Sequence, residues 1–263
     1  MKTLITILFF TQAFFAQQVS TVAETVLIAD TFVGIDSYNN TYFIKDRVLT
    51  KIGEKGIFNF NDYQLGRISS VDIVNPLKVV AYYGDTNTAV LLDNRLSEIE
   101  RINFNNLPNF INTAFVTNAG NNRLWLFNVD SQQVELYNYR NNSKTIISQP
   151  ITEKVLSVAS NFNYFFVLTE NRLLSYNIFG SILSEKEVAG LERIYQQNEA
   201  IYAIKKNELF RFLSEAGNDV NKISEIKKIA LPQINLRDLY PTQDFLYIYD
   251  GKSIFTFKLN QSN

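Results

Sequence analysis

The sequence repeats, and the length of the repeat restricts the folds open to this chain more than any other feature. The segment Leu107-Pro108-Asn109-Phe110-Ile111-Asn112 returns in altered form as Leu231-Pro232-Gln233-Ile234-Asn235, with the two prolines 124 residues apart. Three units of about 41 residues fill that interval. Pro150 falls 42 residues beyond Pro108, Gly190 a further 40, Pro232 a further 42, and Gly66 lies 42 before Pro108. Five turn residues therefore hold one phase of a single period.

A second series of turns keeps the same period at another phase. Each is a short polar step between two apolar runs, as a tight hairpin requires. They are Asp46-Arg47, Asp85-Thr86-Asn87, Asp130-Ser131, Glu170-Asn171, Lys206-Asn207 and Asp250-Gly251. Their flanks read as paired strands, for example Leu124-Trp125-Leu126-Phe127 before Val134-Glu135-Leu136-Tyr137. Each unit also has a run ahead of its hairpin, such as Val71-Asp72-Ile73-Val74, and often a more polar run after it, such as Glu98-Ile99-Glu100-Arg101-Ile102.

Four strands of falling hydrophobicity per unit are the pattern of a propeller blade, innermost strand first and exposed edge strand last. The expected fold is all-β, a single β-propeller of about six four-stranded blades within residues 17–263. Five or seven blades remain open if one unit is mis-phased. The last unit stops at Leu259 with three strands, while an extra run, Thr25-Val26-Leu27-Ile28, precedes the first unit. That N-terminal strand is expected to close the ring as the outer strand of the last blade, which also covers an aggregation-prone edge. An outer-membrane barrel needs strands of about ten alternating residues, and the runs here are shorter.

With 263 residues, 46% of them hydrophobic, the chain can bury a full core and carries too little charge for disorder. Its 25 basic and 26 acidic residues are mixed along the sequence, so no basic stripe exists to neutralise a phosphate backbone and nucleic acid is not an expected partner. There is no histidine and no cysteine. Cys/His zinc sites, haem, thiol nucleophiles and imidazole-based triads therefore fall away. Calcium needs several oxygens converging in one short loop, and Asp36, Asp93, Asp130 and Asp250 stand singly at turns. No catalytic residue, cofactor or metal is assigned.

Residues 1–16 read as an export signal. Lys2 supplies a positive start, residues 4–15 are apolar apart from Thr6, Thr11 and Gln12, and Ala16 offers a small residue for cleavage. The stretch is too short to span a bilayer as a helix. The expected location is outside the cytoplasm, with no direct membrane span.

Asp72 and Asp238 each lie six residues past the turn marker of their unit, Gly66 and Pro232, and are expected at equivalent inner-strand positions of different blades. Paired carboxylates in a propeller channel serve some glycosidases as acid and base. The corresponding residues of other units, Ala114 and Leu156, break such a ring, so channel lining or a turn hydrogen bond is the competing reading. Phe58, Phe60 and Tyr63 stand among Asn and Gly within residues 53–66, a stretch read as the outer strand of the first blade plus a long connection. Aromatic side chains on such connections are natural anchors for a protein partner. Phe110, in the loop 105–112, has the same standing. Sequon matches at Asn39, Asn141 and Asn260 are ascribed to the turn preference of asparagine.

The second unit carries a further signal. The run Gly66-Arg67-Ile68-Ser69-Ser70-Val71-Asp72-Ile73-Val74-Asn75-Pro76-Leu77-Lys78, followed by Val90-Leu91-Leu92-Asp93-Asn94-Arg95-Leu96-Ser97-Glu98-Ile99, resembles a family of exported β-propeller proteins from Bacteroidota. The resemblance implies a non-catalytic envelope subunit in the periplasm, associated with a large outer-membrane protein. Most concretely it implies a plug that seals the periplasmic mouth of the type IX secretion translocon. A carbohydrate-active enzyme or sugar-binding propeller using the central channel, and a periplasmic scaffold for another assembly, are the alternatives.

Overall fold

A computed structural model of the chain describes residues 17–18, 20–198, 200–214 and 223–259, so the expected export signal and the sequon at Asn260 lie outside the described residues. The described strands form six antiparallel blades, and the ring is a six-bladed β-propeller. Blade one consists of Thr31–Ile35, Thr41–Lys45, Val48–Gly53 and Gly56–Phe60. Blade two consists of Ser70–Asp72, Val79–Tyr83, Thr88–Leu92 and Glu98–Asn103. Blade three consists of Thr113–Asn118, Arg123–Asn128, Gln133–Asn138 and Ser143–Ile146. Blade four follows with Val155–Ser160, Tyr164–Thr169, Arg172–Asn177 and Ile182–Glu187. Blade five has Arg193–Gln197, Ala200–Lys205, Glu208–Ser214 and Ile223–Ala230. Blade six has only Asp238–Pro241, Phe245–Tyr249 and Ser253–Lys258 from its own unit.

The missing strand of blade six comes from the other end of the described chain. Ser20–Val26 pairs antiparallel with Ser253–Lys258, from Ser20 opposite Lys258 to Val26 opposite Ser253. The expected closure is therefore made, by a strand that starts and ends earlier than the run 25–28. Leu27 leaves the ladder but still donates its N–H to the Lys252 carbonyl. At the same seam the Tyr249 hydroxyl accepts from the Ala29 N–H at 3.1 Å and donates to the Ala29 carbonyl at 2.8 Å. A short parallel pairing of Gln17–Gln18 with Ile229 and Ala230, which the repeat did not announce, adds a fifth strand to blade five.

Within each blade the four strands, called a to d from the channel outward, alternate in direction. Loops ab and cd therefore open on one face of the disc, and loops bc and da on the other. All six expected hairpins are bc turns, and all five period-marking residues, from Gly66 to Pro232, lie in da connections. The hairpin chemistry explains part of this. Asp46 and Arg47, like Lys206 and Asn207, both take positive φ, the pairing that a two-residue turn needs to match the strand twist.

The burial pattern follows from the stacking of blades. Strands b and c are covered on both faces, so in blade two every residue of Val79–Tyr83 and Thr88–Leu92 is buried. Outer strands return to a half-exposed or exposed pattern, as in Ser143–Ile146. The core is divided into six apolar clusters, one in each gap between neighbouring blades. The cluster of Ala29, Phe32, Phe43, Tyr249 and Ile254 fills the gap between blades six and one, so the ring is closed by packing as well as by hydrogen bonds.

A chain shortened to begin at Ala29 leaves the edge of Ser253–Lys258 unpaired. It should unfold at lower temperature than the full chain and associate on size-exclusion chromatography, and a synthetic peptide of residues 17–28 should restore the melting temperature. A shortened chain that stays monomeric with an unchanged melting temperature contradicts this closure.

Candidate functional site

Inner strands are tied to one another by polar side chains, and both channel carboxylates belong to these ties. Asp72 Oδ2 accepts from the Asn118 N–H of blade three at 2.6 Å, while its Oδ1 accepts from the Val74 N–H at 2.8 Å. Asp238 Oδ2 accepts from the Phe32 N–H of blade one at 3.0 Å, and its Oδ1 lies 3.4 Å from an Arg193 guanidinium nitrogen of blade five. Thr117 with Ser160, and the Ser157 hydroxyl with the Ile194 N–H, make the corresponding links from blade three to four and four to five. Among the described residues, only the junction of blades one and two lacks such an inner-strand link.

The two carboxylates are not equivalent in position. Asp238 pairs with Tyr249, the last residue of its b strand, whereas Asp72 pairs with Val80, three residues short of the corresponding end. They are offset along the channel by roughly 10 Å of strand rise. Equal spacing from Gly66 and Pro232 misleads because the da connections differ in shape. The geometry joins blades and does not assemble an acid and a base around one substrate.

Burial holds both carboxyls above the usual carboxylate range, against the opposing effect of the N–H groups of Asn118 and Val74 at Asp72 and of Phe32 and Arg193 at Asp238. A carboxyl that binds its proton more readily in the folded chain stabilises the fold fully below its unfolded pKa of about 3.9 and loses that contribution as pH rises through the folded value. The stability of the native chain relative to Asp72→Asn, measured by urea unfolding, should therefore fall as pH is raised from about 4 towards 7. A difference that is flat with pH, or that grows, contradicts the raised value.

The expected anchor aromatics divide by location. Phe58 and Phe60, on the d strand of blade one, are half-buried against the cluster between blades one and two. Tyr63 and Phe110 project from successive da connections and are 65% and 53% exposed. They lie on the bc/da face. Asn39 sits in a left-handed turn, and Asn141 caps the turn at Ser143 through its side chain, which fits the turn reading of both sequons.

The opposite face, built from ab and cd loops, holds two adjoining recesses. One, of about 620 Å³, is the mouth of the channel, lined by side chains that include Asn161, Gln196, Gln197, Gln243, Tyr240 and Tyr247. The other, of about 440 Å³, lies in the seam between blades one and two, with Tyr38, Phe58 and Leu77 on its walls and Lys51 in its lining. Between the recesses lies a buried polar network. Asp36 accepts from the N–H groups of Tyr38 and Asn40, from the Asn40 amide and from the Tyr42 hydroxyl. Lys51, 5% exposed, donates to the Asn94 carbonyl at 2.9 Å, stands 3.8 Å from Asp36 Oδ2 and lies over the Tyr42 ring. Burial lowers its pKa, with Asp36 opposing that shift, and pushes the Tyr42 hydroxyl up, an effect that Asp36 reinforces.

Strand register produces this site. Gly34, Tyr42, Lys51 and Phe58 are successive cross-strand partners, so they form one row across blade one on the side facing blade two. The glycine is needed at the head of the row, because a Cβ there would clash with the edge of the Tyr240 ring. Of these residues the sequence singled out only Phe58. The alternation of Leu49 and Lys51 was the available signal, since period two places the lysine on the same face as a core leucine.

The fold and these sites define a six-bladed propeller whose polar groups near the channel mainly join blades. No protein-family model and no curated protein matches the chain. Among solved structures, a catalytically inactive histidine-to-alanine variant of virginiamycin B lyase from Staphylococcus aureus, with quinupristin, aligns at a TM-score of 0.59 and 12% identity, over 95% of this chain and 83% of that one. A chain of the mitotic checkpoint complex aligns at 0.62 and 9% identity, over 98% and 97%. PorZ, a type-IX secretion component of Porphyromonas gingivalis, aligns at 0.47 and 16% identity, over 86% of this chain and 31% of its own. The first two likenesses establish the propeller fold; the likeness to PorZ, below a TM-score of 0.5, carries no argument.

Proposed function

We propose that this chain is a non-catalytic binding subunit of a cell-envelope assembly, and that it docks through its ab/cd face. The observation that carries this reading is the set of exposed apolar side chains on that face: Tyr38, Val74, Leu77 and Phe162 from ab loops and Phe179 from a cd loop. Tyr38, Val74 and Leu77 also line the two recesses of that face, and exposed apolar groups beside a concave site favour a protein partner over bulk water. The carboxylates a hydrolase would need are engaged in joining blades. Virginiamycin B lyase is described as inactive when a histidine is replaced, and this chain has no histidine with which to repeat that chemistry.

The particular partner we infer is a large outer-membrane protein, with the chain exported to the periplasm and sealing the mouth of the type IX secretion translocon. Support comes from the signal-like residues 1–16 and from the resemblance of residues 66–99 to exported propellers of Bacteroidota. A near-neutral, closed disc without exposed strand edges inside the ring suits a stopper.

Affinity purification of a tagged chain from detergent-solubilised membranes tests this. A large outer-membrane protein should co-purify, and Phe179→Asp, which changes an exposed side chain, should weaken the association while leaving the fold intact. Recovery of the chain alone sinks the assembly reading, and a partner unrelated to secretion sinks the plug reading alone. A second reading, sugar binding, is favoured by the amide and aromatic lining of the channel mouth, a chemistry suited to sugar hydroxyls. It predicts retention on immobilised envelope glycans that is lost in Gln243→Ala.

A further inference from the structure

The seam between blades one and two differs from the other blade junctions in two respects that coincide. It lacks the inner-strand polar link found at the other junctions among the described residues, and it opens on the ab/cd face into the 440 Å³ recess. At the recess the polar tie is the bond from Lys51 Nζ to the Asn94 carbonyl, across from blade one to the cd turn of blade two.

Lys51 is incompletely served there. An ammonium group has three donors, and the protein gives this one a single acceptor at hydrogen-bonding distance. Asp36, its nearest carboxylate, stands at 3.8 Å and already accepts from four other donor groups. A buried cation with spare donor capacity is costly unless something completes it. Around it the recess is amphipathic. Phe58, Tyr38 and Leu77 form apolar walls, Tyr38 and Leu77 being 66% and 57% exposed, and Lys55 and Arg95 add positive charge beside a single acidic neighbour in the lining, Glu54. The side-chain amides of Asn39 and Asn94, also in the lining, make no hydrogen bond within the protein among the described residues.

A ligand that completes this site needs an anion for Lys51, an apolar body for the walls, and amide groups for the two asparagines. We propose that the recess captures the C-terminal end of a polypeptide, with the terminal carboxylate directed to Lys51 and an apolar last side chain held between Phe58 and Leu77. Backbone amides of the preceding residues meet Asn39 and Asn94. The volume lies within the range of pockets that hold ligands of this size, and carboxylate capture is an established mode of peptide recognition. The site gives the docking face a specific element beyond its apolar surface, and it does not depend on which assembly the chain joins.

The test uses the full chain and fluorescence anisotropy with an N-terminally labelled hexapeptide, Gly-Ser-Gly-Ser-Gly-Leu. The free acid should bind at least about tenfold more tightly than the C-terminally amidated peptide, the order of effect expected for losing a charge-assisted contact. Leu77→Glu, at an exposed wall position that leaves folding unaffected, should weaken binding of the free acid by a similar factor. Lys51→Met should abolish the difference between acid and amide, its fold being checked by circular dichroism. Equal binding of acid and amide, or no binding of either, overturns the proposal. Displacement by 3-phenylpropionate at the peptide's own affinity overturns the assignment to a polypeptide and makes the site one for small carboxylic acids. Failure here leaves the membrane co-purification result unaffected, so the two readings fail separately.

Discussion

Apolar contact between neighbouring blades is the interaction on which the rest of this structure depends. The b and c strands carry side chains on both faces, and each face finds its cover only on the next blade. Tyr82, Leu91 and Ile102 of blade two meet Leu126 and Tyr137 of blade three, for instance, in one continuous cluster. Each fully buried aliphatic or aromatic side chain contributes about 1.5–3 kcal/mol, and an isolated blade forfeits that on both sides. Stability is therefore a property of the closed ring. The ring has no end blade that could cap itself, which is why the strand Ser20–Val26 must return to blade six.

Polar groups follow from the same constraint. Inner strands pair within their blade on one edge only, and their other edge finds partners on the neighbouring blade. Asp72 and Asp238 serve that purpose through the backbone N–H groups of Asn118 and Phe32. Their raised proton affinity is a consequence of being enclosed among inner strands. Perturbed carboxyls are common at catalytic centres, but here each carboxyl is held by a main-chain N–H of the next blade, with Val74 N–H completing Asp72 and the Arg193 guanidinium of blade five beside Asp238.

The seam between blades one and two departs from this pattern. Its row of Gly34, Tyr42, Lys51 and Phe58 replaces part of an apolar contact by a buried cation. Asp36 and the ring of Tyr42 offset the cost of burying it. The cation lies in the lining of the recess on the ab/cd face, beside the exposed Tyr38 and Leu77. Phe58 stands on a strand of blade one, while Tyr38 and Leu77 reach the recess from ab loops of blades one and two.

The sequence by itself determined the period, the hairpins and the order of strands, because these depend on local chemistry: turn residues at fixed spacing, and apolar runs whose length matches a strand. It also pointed to an N-terminal run as the simplest closing strand, and the pairing of Ser20–Val26 with Ser253–Lys258 makes that closure. The surroundings of the side chains were decided only by the tertiary structure. Asp72 and Asp238 share a spacing from their turn markers yet sit at different heights, because register is set by pairing within each blade and not by counting from a loop. Phe58 and Phe60 came from a stretch read as outer strand plus connection, and only the structure shows that both stand on the strand, half-covered by blade two, while Tyr63 and Phe110 project from connections. Lys51 and Asp36, 15 residues apart in the chain, become neighbours only when strands a, b and c of blade one stand side by side. A period of 41 residues specifies which strands neighbour one another, and the register of each pair then decides which side chains meet.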